Sequence, residues 1–311
     1  MKRLPQIALL PDGKRLHLQD GPIDLVIEAK GRDADIRAAY DAAVRRFNGL
    51  LDELCAELIE LRQPADPFRC TLKSAVARRM HAAVAPFAAD HFITPMAAVA
   101  GSVAQEILGA MLGAARLERA YVNNGGDIAL HLAPGQSLEA GVFTDPAHGF
   151  SGLPVDARFT VEASSPVRGI ATSGWRGRSF SLGIADAATV LAATASCADA
   201  AATVLGNAVD LDDPRIVRRP ASAVRDDSDL GERLVVRAVP TLPAPRVDQA
   251  LARGAAEARA HVDAGRIVGA VLSLQGRWRV VGDIGADPGG ELDVAVPALT
   301  SRLRDELAAV C

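Results

Sequence analysis

Alternating and helically spaced apolar residues divide the first part of the chain into predicted elements. Residues 4–30 carry short alternating runs that are interrupted by Pro-Asp-Gly and Asp-Gly-Pro turn sequences, which predicts a set of short strands. Between residues 36 and 61, apolar residues recur every three or four positions. This spacing predicts one long amphipathic helix, with a kink at Gly49.

The same reading gives interleaved helices and strands over the rest of the chain. Further helices are expected over residues 72–84, 96–116, 196–209, 246–264 and 299–310. Further strands are expected over residues 119–123, 128–132, 138–142, 159–163, 169–172, 187–193, 234–239, 267–274 and 277–281. Residues 210–231 are polar and predict a long surface loop. Irregular interleaving favours an α+β fold with a largely antiparallel sheet, in a single domain over residues 1–311.

Composition and charge narrow the classes of function. The net charge is -4 and no basic run occurs, which argues against a nucleic-acid binder, and 4% aromatic residues offer no stacking platform for single strands. The four cysteines (Cys55, Cys70, Cys197 and Cys311) are scattered, without a Cys-x-x-Cys pair or a nearby histidine. We therefore expect neither a zinc site nor a disulfide framework, and reduced thiols fit a cytoplasm.

Two apolar stretches have some features of an export signal or a membrane span. The run at residues 7–10 is far too short for the apolar part of a signal peptide. Residues 92–112 are long enough to suggest a membrane span, but they contain Ser102, Gln105 and Glu106 and consist mainly of alanine and glycine. We expect a buried helix there, a cytoplasmic protein and no membrane partner.

Residues 121–130 read Tyr-Val-Asn-Asn-Gly-Gly-Asp-Ile-Ala-Leu and allow two interpretations. Asn-Gly and Gly-Gly accept positive φ at little cost, which is typical of a tight β-turn between two strands. Alternatively, the paired glycines expose backbone N–H groups to a phosphate or ribose, and Asp127 and the asparagines supply polar contacts. These ten residues alone leave both interpretations open.

Three other stretches share this small, polar character. Residues 169–174 read Gly-Ile-Ala-Thr-Ser-Gly, which is either a polar lip for a ligand or a capped loop. Asp199 and Thr203 lie four residues apart on an alanine-rich helix, so a carboxylate and a hydroxyl share one face and suit magnesium or calcium. The alternative is that Asp199 caps its own helix near Ser196. Residues 95–104 indicate only close helix packing.

In this order the four stretches resemble the ApbE-type FAD:protein FMN transferase superfamily. Residues 122–127 look like its Asn-x-Gly-Gly-Asp turn, and residues 169–174 look like its Ala-Thr-Ser-Gly strand end. Residues 198–203 match its Ala-Asp-Ala-x-x-Thr helix, and residues 97–104 look like a degraded form of its Gly-Gly-Ile-Ala-Lys-Gly-x-Ala segment. The matched region runs from residue 95 to residue 209, about a third of the chain.

The resemblance implies an ApbE-like, T-fold-like α+β architecture that binds FAD or a related nucleotide with a divalent cation such as Mg²⁺. Members of the superfamily split FAD and attach FMN through a phosphoester to a threonine or serine of a target protein. Carried over by position, the metal ligands would be Asp199, Thr203 and the carbonyl of Ala100. The nucleotide site would be lined by Asn124, Gly125, Gly126, Asp127, Thr172, Ser173 and Gly174.

Two departures from the superfamily pattern bear on catalysis. The transferases follow the Thr-Ser-Gly strand with a His-x-x-Asp-Pro motif that contains the catalytic histidine. Here Asp186 survives as the catalytic candidate, but no histidine stands before it and no proline follows it. Gly101 replaces the lysine of the Ala-Lys-Gly segment. The chain therefore looks like a divergent, cytoplasmic branch of the superfamily.

Other residues could make up for the missing groups. His131 follows the Gly-Gly-Asp turn and His148 lies in a predicted turn, but a lone histidine in such a place is usually only solvated. Arg176 and Arg178, just after Gly174, are better candidates for contact with a phosphate or carboxylate.

Two functions from different classes remain open. One is a metal-dependent transferase or hydrolase acting on FAD or a related nucleotide. The other is a flavin or nucleotide-binding protein without FMN transfer, which the lost histidine and lysine favour. The retained Asp186, Asp199 and Thr203 indicate that a cation or phosphate is still handled. The expected partners are a small-molecule nucleotide and further copies of the chain, while an acceptor protein stays open.

Overall fold

A computed structural model describes residues 5–142 and 157–284. The strands are β1 Gln6–Leu9, β2 Leu16–Asp20, β3 Ile23–Lys30, β4 Arg119–Asn124, β5 Asp127–Leu132, β6 Ser137–Val142, β7 Ala157–Glu162, β8 Gly169–Ser173, β9 Ala187–Ala192, β10 Val217–Pro220, β11 Leu234–Ala238, β12 Gly269–Leu274 and β13 Arg277–Gly282. The α-helices are α1 Asp33–Phe47, α2 Leu50–Ala56, α3 Leu58–Leu61, α4 Ala75–Val84, α5 Val99–Ala114, α6 Ala195–Ala208, α7 Ala221–Val224 and α8 Ala244–Asp263. Two short 3₁₀ helices span Ala85–Phe87 and Pro95–Ala98.

An antiparallel sheet forms the centre of the fold. Within the described residues it has nine strands in the order β1-β2-β3-β4-β5-β8-β9-β12-β13, and each neighbouring pair is antiparallel. Two separate hairpin-like pairs, β6 with β7 and β10 with β11, are also antiparallel. Helices from between the strands pack on this sheet, so the predicted α+β class with a largely antiparallel sheet is confirmed.

The two faces of the sheet are buried by different partners. The strands β2 and β3 alternate between buried and partly exposed residues, whereas β9 and β12 are buried at every position. Neighbouring residues of β9 belong to different apolar clusters: Val190 packs in the main core with the helices, and Leu191 packs with Phe159 and Val161 of β7. The centre of the sheet therefore lies between a helical layer and the β6–β7 pair.

The helix predicted over residues 36–61 is divided into α1, α2 and α3. Gly49 stands between α1 and α2 with a φ of 83°, a left-handed conformation that residues with a side chain rarely adopt. The predicted interruption at Gly49 is therefore confirmed. A second interruption at Glu57, between α2 and α3, was not predicted.

The surface loop predicted over residues 210–231 is wrong in part, because β10 and α7 lie within it. The strand β10 is held by β11, with Arg219 opposite Val235. A strand of four residues has too few positions to show a periodic pattern, and its partner strand lies elsewhere in the sequence, so the local sequence does not reveal it. The helix predicted over residues 299–310 lies outside the described residues.

The helical stretch Pro95–Ala114 has the length and composition of a membrane-crossing helix. In the structure it combines a 3₁₀ turn with α5, and α5 packs against α1, α6, β4 and β5. Val103, Ile107 and Met111 are fully buried. The predicted buried helix is therefore confirmed. A core helix and a membrane-crossing helix share an apolar composition, so composition does not distinguish them.

Two glycines allow α6 to start very close to its neighbours. A Cβ atom on Gly101 of α5 would lie 2.3 Å from the carbonyl oxygen of Ala195, and one on Gly169 of β8 would lie 2.2 Å from its backbone nitrogen. Neither site can accept a side chain without a backbone shift. The replacement of the superfamily lysine by Gly101 thus has a packing reason, and it fixes the first turn of α6 beside the first turn of α5.

Candidate functional site

Asp199 lies where α6 meets the beginning of α5. Its Oδ2 accepts a hydrogen bond from the backbone N–H of Gly101 at 2.9 Å. The helix α6 itself is capped by Thr194, whose Oγ1 accepts from the N–H of Cys197. The alternative that Asp199 caps its own helix is therefore wrong. Asp199 instead partners an N–H in the first turn of α5, where the helix dipole favours a negative charge.

The turn between β4 and β5 is the predicted tight turn. Asn124 and Asp127 pair across it, and Gly125 and Gly126 have φ values of 65° and 116°. The buried side chain of Asn124 also reaches α5, where its Nδ2 donates to the carbonyl oxygen of Ala100 at 3.1 Å. This bond holds the turn against α5.

Asp127 connects the same turn to β8. Its Oδ1 accepts a hydrogen bond from the backbone N–H of Thr172 at 3.2 Å. The hydroxyl of Thr172 is in turn bonded to that of Thr189 on β9, with an Oγ1–Oγ1 distance of 2.8 Å. The turn, the end of β8 and the first turns of α5 and α6 therefore lie side by side, and we refer to the region between them as the crevice.

The electrostatics of this crevice are dominated by two carboxylates. Burial raises the pKa of Asp127 from 3.8 to about 7, although the N–H of Thr172 and the charge of Arg178 act in the opposite direction. Burial is also the largest cause of the raised pKa of Asp199, and the nearby charge of Asp127 raises it further. Two carboxylates in a poorly solvated crevice cannot both ionise cheaply, and a bound cation would relieve that cost.

Oxygen groups suited to a hard cation lie on α6 beside the start of α5. The bond from the N–H of Gly101 places the Asp199 carboxylate beside the peptide bond that joins Ala100 and Gly101, and Thr203 lies half-buried one helical turn further along α6. Carboxylate, carbonyl and hydroxyl oxygens are the ligands that Mg²⁺ prefers in proteins. Asp199 and Thr203 therefore fit the metal role that the resemblance gives them, and that role stays a prediction. The carbonyl of Ala100 accepts from Asn124 and points away from the N–H that binds Asp199, because the two groups of a trans peptide bond are opposed, so the structure gives no support to its predicted metal role.

Asp186 lies in a different environment from the one its predicted catalytic role suggests. Its Oδ1 accepts hydrogen bonds from Trp175 Nε1 at 3.0 Å and from Arg176 Nε at 2.8 Å. Its Oδ2 accepts from the backbone N–H of Gln275 at 2.5 Å. Both oxygens are thus engaged in holding the segment after β8 to the turn between β12 and β13, so the geometry supports a structural role.

Residues 173–176 also make contacts that differ from their predicted contacts with a nucleotide. Arg176 pairs with Asp186 instead of projecting its full charge toward a phosphate. A Cβ on Gly174 would lie 2.3 Å from the carbonyl oxygen of Asp186, so this glycine permits a close backbone approach. Ser173 packs against Gly206 on α6, three residues after Thr203.

Arg178 is the basic residue that the structure does bring to the crevice. Its charge acts on Asp127, and its Nη1 would lie 3.4 Å from a Cβ on Gly125. Its Nη2 donates to the carbonyl oxygen of Pro22 at 3.3 Å. Arg178 therefore lies beside the Gly-Gly turn, as a residue in contact with a bound anion would need to.

An arginine-rich cavity beside this residue was not predicted. It has a volume of about 250 Å³ and is lined by Trp175, Gly177, Arg178, Ser179, Phe180, Val224, Arg225, Val236 and Arg237. The guanidinium groups of Arg225 and Arg237 lie 5.1 and 5.8 Å from the ring centre of Phe180. These residues come from three separate segments with no shared motif, so the sequence offered no signal for them.

The histidines considered as substitutes do not enter the crevice within the described residues. His131 lies on β5, where its Nε2 is 3.0 Å from the carbonyl oxygen of Leu117. His148 lies outside the described residues. His131 is therefore not a replacement for the missing histidine.

Comparisons with known proteins support the resemblance. The family model described as AbpE bacteria matches residues 7–280 of this chain. The UPF0280 protein of Methanopyrus kandleri is 35% identical over 218 residues, which cover 68% of this chain and 82% of that protein. The UPF0280 protein of Methanocella arvoryzae is 36% identical over 170 residues, which cover 53% of this chain and 64% of that protein.

Among solved structures, a variant of the flavin transferase ApbE from Vibrio cholerae is similar to this chain. The match has 13% sequence identity and a TM-score of 0.46, and it covers 87% of this chain and 98% of that chain.

Proposed function

Because the chain belongs to the AbpE bacteria family, we propose that it binds FAD or a related nucleotide together with Mg²⁺ in the crevice between the β4–β5 turn, α5 and α6. The observation that carries this proposal is the proximity of the Asp127 and Asp199 carboxylates beside the first turn of α5. Each comes from a different element, so the fold is built to place them together.

A cation would balance the charge of the crevice. The raised pKa values of Asp127 and Asp199 mean that ionising both carboxylates is costly in the folded chain. A divalent cation held by Asp199 and Thr203 would offset that cost and neutralise the diphosphate of the nucleotide. This need for neutralisation couples metal binding to nucleotide binding.

The nucleotide would lie over the Gly-Gly turn. Gly125 and Gly126 are exposed and carry no side chain, so a phosphate can approach the backbone there. Arg178 beside the turn and the arginine-lined cavity next to it supply positive charge on the same side. Thr172, Ser173 and Asn124 would complete the polar lining.

Transfer of FMN to an acceptor protein is the second candidate, and it has less support. A positioned general acid or base contributes about 10²–10⁴ in rate. No histidine precedes Asp186, and both oxygens of Asp186 are engaged by Trp175, Arg176 and Gln275. Binding without rapid FMN transfer is therefore the function that this arrangement supports best.

Calorimetric titration of FAD with and without Mg²⁺ tests the proposal. We expect binding that requires Mg²⁺, and we expect Asp199→Asn to weaken it at least about tenfold, or 1.4 kcal/mol. Asparagine keeps the acceptor for the N–H of Gly101 and removes only the charge. Asp52→Asn, at an exposed position on α2, is the matched control and should bind as wild type does. Equal affinities for wild type and Asp199→Asn would contradict the proposal.

A further inference from the structure

Two histidines and one glutamate meet at a place unrelated to the crevice. Glu257 and His261 lie one turn apart on α8, and His91 lies in the segment that follows the 3₁₀ helix Ala85–Phe87. Their three potential ligand atoms lie within 4.8 Å of one another. None of the contacts described for the crevice involves them.

The geometry of the three side chains is that of converging ligands. The Nε2 of His91 lies 2.9 Å from Oε1 of Glu257, and the Nε2 of His261 lies 3.1 Å from the same oxygen. The Nε2 of His261 is fully buried and makes no well-directed hydrogen bond. A buried imidazole nitrogen that points into a cluster of potential ligands without a hydrogen bond of its own suggests a missing partner.

We propose that His91, Glu257 and His261 form a Zn²⁺ site. Two imidazoles and one carboxylate are a common ligand set for zinc, with a fourth position left for water. Ligand atoms of a tetrahedral zinc site lie about 3.3 Å apart. The two N–O distances of 2.9 and 3.1 Å to Glu257 are close to this spacing. The side chains of His91 and Glu257 are 31% and 30% exposed, which turns the fourth position toward solvent.

The charged groups around the cluster have opposing effects on cation binding. The carboxylate of Glu257 favours a cation, and burial of His261 favours the neutral imidazole that binds metal. Arg266 opposes metal binding. Its Nη1 lies 3.4 Å from Nδ1 of His261 and can only donate a hydrogen bond, so it favours the tautomer with the proton on Nε2. Zinc binding would move that proton to Nδ1 and release Arg266, so Arg266 should weaken the site.

The consequence would be a fixed link between two parts of the chain that are far apart in sequence. His91 precedes the 3₁₀ helix Pro95–Ala98, which leads into the first turn of α5. A metal at this place would tie that segment to α8. The proposal differs from the expectation of no zinc site, which rested on the absence of a Cys-x-x-Cys pair and of a histidine near the cysteines.

Titration of the full-length protein with zinc chloride tests the site directly. We expect one equivalent to bind, and His91→Ala to weaken that binding by at least the 10–100-fold that loss of a supporting residue costs a metal site. His17→Ala is the matched control, because His17 also pairs with a carboxylate, Asp24 at 2.8 Å, but has no third ligand beside it. That variant should bind zinc as wild type does.

Two further measurements separate the site from surface binding. Arg266→Gln should tighten zinc binding, whereas a simple histidine–glutamate ion pair gives no reason for such a change. Cobalt(II) should give the visible absorption of a tetrahedral complex in wild type and lose it in Glu257→Gln. Equal zinc affinity in wild type and His91→Ala, or a cobalt spectrum unchanged in Glu257→Gln, would overturn the proposal.

Discussion

Asp186 and Asp199 both occupy positions that the resemblance assigns to the site, but their carboxylates have different surroundings. Asp186 is paired with the cationic side chain of Arg176 and receives two further N–H groups. Asp199 receives backbone N–H groups from the start of α5 and has a second carboxylate, Asp127, as its charged neighbour. The charge of Asp186 is thus neutralised within the chain, whereas the interactions described for Asp199 include no cationic side chain.

This difference separates residues kept for structure from residues available for a ligand. An aspartate that survives in a motif can hold two segments together after its original partner is lost. Asp186 fits that description, since its three donors come from two separate segments, the one after β8 and the turn between β12 and β13. Whether a carboxylate is available to a ligand therefore depends on its partners within the chain. The predictions below test this dependence.

The largest effect is expected from Asp186→Ala. It would leave Trp175 Nε1, Arg176 and the N–H of Gln275 without their acceptor, which should lower the free energy of unfolding by about 2–4 kcal/mol. Urea denaturation measures this loss, and calorimetry on the folded fraction should show FAD affinity close to that of wild type. An unchanged stability together with lost activity on FAD would instead restore the catalytic role.

A smaller loss is expected from Gly101→Ala, which tests whether the crevice depends on the close approach of α5 and α6. The added Cβ would meet the carbonyl of Ala195 at 2.3 Å, so overpacking should cost about 1–3 kcal/mol and weaken Mg²⁺-dependent binding of FAD. Gly113→Ala is the control on the same helix. It has open space around it and should raise stability by up to about 1 kcal/mol, because alanine favours the helix. Similar thermal denaturation curves for the two variants would contradict this account.

The smallest effect is a pH dependence that comes from Asp127. Its pKa is about 7 in the folded chain and 3.8 ordinarily, so between these values the folded chain binds more protons than the unfolded chain. The free energy of unfolding of the metal-free protein should therefore fall as pH rises from about 4 to about 7. Because the side chain of Asp127 is partly exposed, solvent screening should hold the decline to on the order of 1–2 kcal/mol, below the full linkage value of about 1.36 kcal/mol per pKa unit.

Other carboxylates titrate in the same range, so the informative quantity is the difference between wild type and Asp127→Asn. Urea denaturation in the presence of a chelator should give a flatter pH profile for the variant. Added Mg²⁺ should reduce the decline in wild type, because the cation offsets the charge of the crevice. Identical pH profiles for wild type and Asp127→Asn would show that Asp127 is well solvated and that the crevice needs no cation.

The chain's local patterns were enough to predict most of the elements. Periodicity gave the strands on both sides of the Asn-Gly-Gly-Asp turn and the helices α1, α4, α5, α6 and α8 to within a few residues at most ends. It missed β10 and α7, because a four-residue strand that pairs with a distant segment has too few positions to show a period. The order of four weak motifs indicated the family that the whole-chain comparison supports.

What the sequence determined by itself is local: which residues form strands and helices, where the glycines turn the chain, and which side chains share a helix face. What only the tertiary structure decided is the partner of each polar group. The bond from Gly101 to Asp199 spans 98 residues, and the pair of His91 and Glu257 spans 166. A sequence pattern records spacing along one element, whereas desolvation and charge pairing depend on which distant elements pack together, so the use of each aspartate and histidine became visible only in the fold.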